Sequence, residues 1–184
     1  MSHFCVLVIG DNVDERMEPY QENNMDTVPP EFLEFVDETE EVEAAWKDYP
    51  LTVLGRGGSE EDYKNIQEYA EGYWGYEEQD GRYGRTCNTN AKWDWYEEGG
   101  RWGDYLPLKD GNHADSSPAK DVDLAKLEPT FAVLNDNGWH EIGSMGWFGT
   151  SHGNAGEKEW ERAFRAQMDN LHPDTLITVI DCHI

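Results

Sequence analysis

The chain is short of positive charge, cysteine and long apolar runs, and each shortage excludes something. Only 14 of its 184 residues are Lys or Arg, against 39 Asp and Glu, which leaves a net charge of −25. Such a surface repels phosphate backbones, so direct binding of nucleic acid is not expected. The three cysteines, Cys5, Cys87 and Cys182, contain no CxxC spacing and cannot all pair, so they read as reduced thiols. No apolar stretch approaches the roughly 20 residues of a membrane span. The longest, Phe4 to Ile9, lacks the charged start and cleavage site of a secretory signal. The expectation is a protein made and kept in the cytoplasm.

What is present favours a folded body. Hydrophobic residues make up 38% of the chain and aromatics 12%, with eight Trp and nine Tyr, whereas disordered acidic chains lack aromatics. A length of 184 residues suits a single α+β domain over 1–184 that carries an insertion.

Phe4-Cys5-Val6-Leu7-Val8-Ile9 reads as a buried strand ended by Gly10-Asp11-Asn12. A polar segment runs to Pro30, and Leu33 to Val36 suits a short edge strand. Asp37 with Glu40 opens a helix whose stripe is Val42, Ala45, Trp46 and Tyr49, with Pro50 as its stop. Ser59 with Asp62 offers a second start, followed by Tyr63, Ile66, Ala70 and Tyr73 on one face. From about 72 to 126 the pattern becomes irregular and rich in Gly, Trp and Tyr, as in an ordered insertion. Thr130 to Leu134 and Trp139 to Ile142 flank Asn137-Gly138 and predict a hairpin. Glu157 to Leu171 predicts a helix with Trp160, Phe164, Met168 and Leu171 inward, stopped by Pro173, and Leu176 to Ile184 a last strand. This order suggests a ferredoxin-like βαββαβ antiparallel sheet with helices on one face.

Three places carry candidate chemistry. The window Asp11 to Asp48 holds 14 acidic residues and two basic ones, or −12 of the −25. Asp11, Asp14, Glu15, Glu18, Glu22, Glu38, Glu40, Glu41 and Glu43 are its candidate partner-binding residues, set against a plainly solvated face. In the second, Trp93, Trp95, Tyr96, Gly99, Gly100, Arg101 and Trp102 form a candidate ligand site. Paired glycines let a backbone approach a ligand, Arg101 suits a phosphate or carboxylate, and the rings suit a nucleobase. A Gly-turn hairpin with its aromatics packed inward explains the same segment. The third rests on the first and last strands being antiparallel neighbours. Pairing the face of Phe4, Val6 and Val8 with that of Thr178, Ile180 and Cys182 sets His3 opposite His183 and Cys5 opposite Asp181. Those four side chains are zinc-competent, or a Cys/His pair with a carboxylate, and equally a hydrogen-bonded polar sheet edge. A Gly-rich loop, Gly143-Ser144-Met145-Gly146-Trp147-Phe148-Gly149, suits a pocket wall or a cover over the sheet. Nucleophile-elbow, HExxH, EF-hand and phosphate-loop patterns are missing, which weighs against an enzyme and names no cofactor.

The opening Met1-Ser2-His3-Phe4-x-Val6-Leu7-Val8-Ile9-Gly10 resembles that of a family of bacteriophage and prophage proteins. So do Asn90-Ala91-Lys92-Trp93-Asp94-Trp95-Tyr96-x-x-Gly99-Gly100-Arg101-Trp102, the Gly146-Trp147 segment, and Leu176-x-Thr178-Val179-x-Asp181-Cys182-His183-Ile184. The likeness runs nearly end to end and departs at Thr89-Asn90, where relatives often read Asn-Pro. It implies a viral accessory protein in the host cytoplasm and brings no activity, cofactor or catalytic residue. With the acidic balance, it suggests a protein that blocks a host nucleic-acid-acting defence system by occupying a basic groove. A small-ligand sponge for a nucleotide-like molecule at Trp93 to Trp102, and a metal- or Cys-dependent enzyme at His3, Cys5, Asp181 and His183, are the other two readings.

Overall fold

The computed structural model describes residues 2–22, 27–55, 63–146, 150–169 and 171–184. The helix start expected at Ser59 with Asp62, and Trp147, Phe148 and Gly149 of the Gly-rich loop, lie outside them. In chain order the first elements are strand β1 (His3–Ile9), helix α1 (Val13–Met17), strand β2 (Glu34–Asp37), and helices α2 (Thr39–Gly55) and α3 (Ile66–Tyr69). Strands β3 (Glu77–Gln79), β4 (Arg82–Cys87), β5 (Trp95–Glu98), β6 (Ser116–Pro118), β7 (Ala132–Asn135) and β8 (Gly138–Glu141) follow. Helix α4 (Glu157–Met168) and strand β9 (Leu176–His183) come last, and short helical turns and two-residue strands, among them Ser144–Met145 and Ser151–His152, lie between the longer elements. None of the described helices is long and apolar enough to cross a membrane.

The chain divides into two compact units, residues 1–28 with 90–184, and residues 29–89. The inserted unit is therefore 29–89 rather than the segment at about 72–126 that irregular composition suggests. Residues 90–126 belong to the larger unit, where Trp93 is buried and Tyr96, Trp102 and Tyr105 pack half-buried against its cores. The excursion is clamped where it begins and ends. Gln21 and Trp93 form a parallel β-bridge, Glu22 N donates to Trp93 O (2.7 Å), and Lys92 N donates to Tyr20 O (2.7 Å).

The larger unit is built on a six-stranded sheet ordered β8-β7-β1-β9-β5, with β6 also on β9. The long run of apolar residues in β1 and β9 lets both strand faces be buried. One face carries Cys5, Leu7, Ile9, Val133, Ile177 and Val179, and α4 lays Trp160, Phe164 and Met168 on it at helical spacing. The other carries Phe4, Val6, Val8, Ala132, Leu134 and Ile180, covered by Met17 of α1 and by Trp93. Helices thus lie on both faces, because a strand apolar all round needs covering on both. The sheet is also mixed rather than antiparallel throughout. β1 pairs β9 in antiparallel fashion, but pairs β7 in parallel, Val6 opposite Ala132 and Val8 opposite Leu134. A ferredoxin-like sheet would set the second hairpin strand beside β1. Here the first takes that place. Ala132, Val133 and Leu134 are fully apolar and buried, while β8 is half-buried along its length and sits at the edge.

Within the hairpin, Asn135 pairs with Gly138, so the two loop residues are Asp136 and Asn137. Gly138 alone of the four takes a positive φ (102°), and Asn137 N donates to Asn135 Oδ1 (2.8 Å). The turn is therefore a residue earlier than an Asn137-Gly138 turn would be.

The unit 29–89 has its own core. Its sheet runs β2-β4-β3, with β2 at an edge as expected. Asp37 Oδ1 accepts from Thr39 N (3.0 Å) at the start of α2. That helix buries Val42 and Tyr49 against Tyr69 and Ala70. It continues to Gly55 instead of stopping at Pro50, so it absorbs the one backbone hydrogen bond a proline removes. α3 starts at Asn65, whose side chain accepts from Glu68 N (2.9 Å), while Glu68 Oε2 accepts from Lys64 N (2.9 Å).

Phe164 is fully buried beneath the sheet of the larger unit. Phe164→Ala is expected to cost that unit about 3–5 kcal/mol, read as a lower urea midpoint at unchanged slope.

Candidate functional site

The polar end of the central sheet is set by three strands. β1 and β9 pair with His3 opposite His183 and Cys5 opposite Asp181, the register that side-chain alternation specifies. On the far side of β9, β5 places Trp95 opposite His183. His3, His183 and Trp95 therefore form one row across the sheet. The two imidazoles lie 5.0 Å apart, centroid to centroid, at 74°. Trp95 stacks on His183 at 5.2 Å and 20°, and meets His3 edge-on at 5.5 Å.

Each imidazole is braced by its own carboxylate. His3 Nδ1 lies 2.8 Å from Asp181 Oδ1, and His183 Nδ1 lies 2.5 Å from Asp94 Oδ1. An ionised carboxylate only accepts, so both Nδ1 atoms carry hydrogen and donate. In the neutral ring that leaves Nε2 as an acceptor. His183 Nε2 is buried and has no hydrogen-bond partner among the described residues, whereas the His3 side chain keeps 12% of its surface exposed. Asp181 is itself buried, and its second oxygen accepts from Arg101 N (3.0 Å).

The paired glycines serve this carboxylate. Gly100 has φ +51°, and a Cβ there would stand 2.5 Å from Asp181 Cβ. A Cβ on Gly99 (φ +68°) would meet Asp115 Oδ2 at 2.5 Å. The backbone approaches internal aspartates closely, as only glycine allows. A ligand is not needed to explain the Gly99-Gly100 pair.

The seven residues of the Trp93–Trp102 segment do not converge. Trp93 is buried on the Phe4 face, with Nε1 donating to Met17 O (3.1 Å), and Tyr96 packs on it at 4.8 Å while its hydroxyl donates to Asp14. Trp102 packs half-buried on the opposite face, against the cluster that includes Leu7 and Phe164. Trp95, 44% exposed, and Arg101, also exposed, are the members that reach the histidine row, one by its ring and the other by its backbone. The partner-binding carboxylates divide between the two units. Asp11, Asp14, Glu15, Glu18 and Glu22 are exposed on the larger unit, while Glu38, Glu40, Glu41 and Glu43 belong to the unit 29–89. A single stretch of sequence thus contributes to both units. Ser144–Met145 and Ser151–His152 pair as a small hairpin, and Ser2 Oγ donates to Gly146 O (2.7 Å), so this loop lies over the start of β1.

Of the four residues proposed from the strand register, Cys5 plays a different part from the others. Burial, reinforced by the charge of Asp181, pushes its thiol up to about 12. It is a protonated core residue, and so is Cys182, raised by burial as well. Among the described residues no three His, Cys, Asp or Glu side chains gather as metal ligands. The residue that sequence reasoning missed is Asp94. Its partnership with His183 follows from β5 pairing with β9, for which alternation in β5 gives no signal.

The thiols give a direct check. Iodoacetamide at about pH 8.5 should label half-buried Cys87 well before Cys5 and Cys182, read by peptide mass spectrometry. Between an ordinary 9.0 and about 12 the unfolded chain releases the Cys5 proton and the folded chain keeps it, so this residue's contribution to stability falls as pH rises through that window. Rapid labelling of Cys5 in the folded protein would contradict the packing described. Comparison of the chain with protein-family models, curated proteins and solved structures finds no match.

Proposed function

We propose that the chain is a phage-encoded acidic binding protein that inhibits a host nucleic-acid-acting system by occupying its basic groove. The observation that carries this reading is the uneven charge. Residues 29–89 hold 16 acidic and five basic residues, a net −11 over 61 residues, against −14 over the other 123. The helical period of α2 turns Val42 and Tyr49 inward and leaves Glu40, Glu41, Glu43 and Asp48 exposed. Glu34 and Asp37 of β2, and Glu77 and Glu78 of β3, are exposed in the same unit. The ion pair of Arg82 with Asp37, at 3.9 Å and half-exposed, neutralises little of this. A row of fixed carboxylates on a folded body offers a cationic groove the same attraction as a phosphate backbone.

A host nucleic-acid-acting protein captured by the chain should lose at least about tenfold in affinity between about 50 and 500 mM NaCl. Glu41→Lys with Glu43→Lys should weaken it by a similar factor at low salt, with circular dichroism confirming that α2 persists. Nucleic acid should compete for the same groove. An affinity indifferent to salt and to both reversals would overturn the reading.

A further inference from the structure

We propose that His3 and His183 together hold one divalent transition-metal cation of the zinc class through their Nε2 atoms. This goes beyond the acidic docking surface and uses none of its residues.

Buried polar atoms in folded proteins are almost always hydrogen-bonded, and an exception calls for an explanation, a bound ion or an ordered water among them. His183 is 4% exposed, and its Nε2 is buried with no partner among the described residues. Its Nδ1 is committed to Asp94, so the ring cannot satisfy Nε2 by exchanging roles without losing that bond. His3 repeats the pattern. Its Nδ1 is committed to Asp181, which leaves its Nε2 as the remaining acceptor.

Imidazoles that bind metals characteristically donate their other nitrogen to a carboxylate, which fixes the tautomer and raises the basicity of the ligating atom. Here both rings of a directly opposed pair are prepared in that way, with centroids 5.0 Å apart. Gly100 and Arg101 add a further layer, because the turn they form holds the second oxygen of Asp181. Neutral imidazoles suit Zn2+, Cu2+ and Ni2+, while the carboxylate exterior suits Mg2+ and Ca2+. The two kinds of binding are therefore separable by ion. Since no third His, Cys, Asp or Glu joins the pair among the described residues, the ion's other positions would be open to water or to a ligand. The carboxylate bracing and the exposed Trp95 ring are already in place around it.

The test uses the full chain without a polyhistidine tag, in millimolar Mg2+ so that surface carboxylates are occupied. Titration with Zn2+ should show one ion bound per chain. Co2+ should give a visible ligand-field spectrum, and Cu2+ should quench a fraction of the tryptophan emission that Trp95→Phe removes without abolishing binding. His183→Gln and His3→Gln should each eliminate uptake. Asp94→Asn keeps both rings and should weaken Zn2+ about 10- to 100-fold. The wild-type His3 and His183 ring resonances should shift on adding Zn2+, a readout that stands even if the glutamine variants fold poorly. No Zn2+ uptake in the presence of Mg2+, as an ordered water on Nε2 would give, overturns the proposal. So does uptake that survives His183→Gln.

Discussion

The pairing of β1 with β9 is the interaction on which the rest depends. It runs through seven consecutive residue pairs from His3–His183 to Ile9–Ile177. Because side chains alternate, this one ladder assigns every residue of both strands to a face. It thereby creates two cores at once, one beneath α4 and one beneath Met17 and Trp93. A slip of a single residue would turn one strand over relative to the other, sending either Leu7 or Val179 out of the α4 core and parting the two histidines. The apolar majority of the ladder thus fixes the position of its polar end.

That polar end is unusual in its composition. Asp181 and His183 share their face of the strand with the aliphatic Ile177 and Val179, and both are buried. Burying a carboxylate is costly unless its oxygens are satisfied. The chain meets the requirement with a side-chain donor from β1 and a backbone donor from the turn after β5. Elements far apart in sequence are tied to one buried carboxylate. Trp95 then closes the row from outside, half of its ring still in water.

How much of this could be read from the residues depended on where the determining contacts lie. The buried first strand, the α4 stripe and the β1–β9 register follow from periodicity alone, which is local information plus one assumption of neighbourhood. Trp160, Phe164 and Met168 are inward as their spacing requires. The parallel β1–β7 contact was not legible, because it reflects a competition between two hairpin strands for an inner place. The apolar strand won it. Nor was the boundary of the inserted unit, since Tyr and Trp density is high on both sides of residue 89 and marks burial without saying in which core. The segment Trp93 to Trp102 misled for the same reason. Its rings read as one platform, yet Trp93 and Trp102 serve opposite faces of the sheet. Asp94 was hidden because its partner arrives from β9.

The bridge between Gln21 and Trp93 has a bearing on how such a protein can change over time. The chain leaves the larger unit and returns to it at adjoining points, held there by main-chain hydrogen bonds that need no particular side chain. Whatever lies between is a module on a closed base. Its length and its surface can drift, or be exchanged wholesale, with little demand on the sheet that carries it. The acidic face and the histidine row are then free to evolve at different rates, the one as a variable attachment and the other as part of the frame.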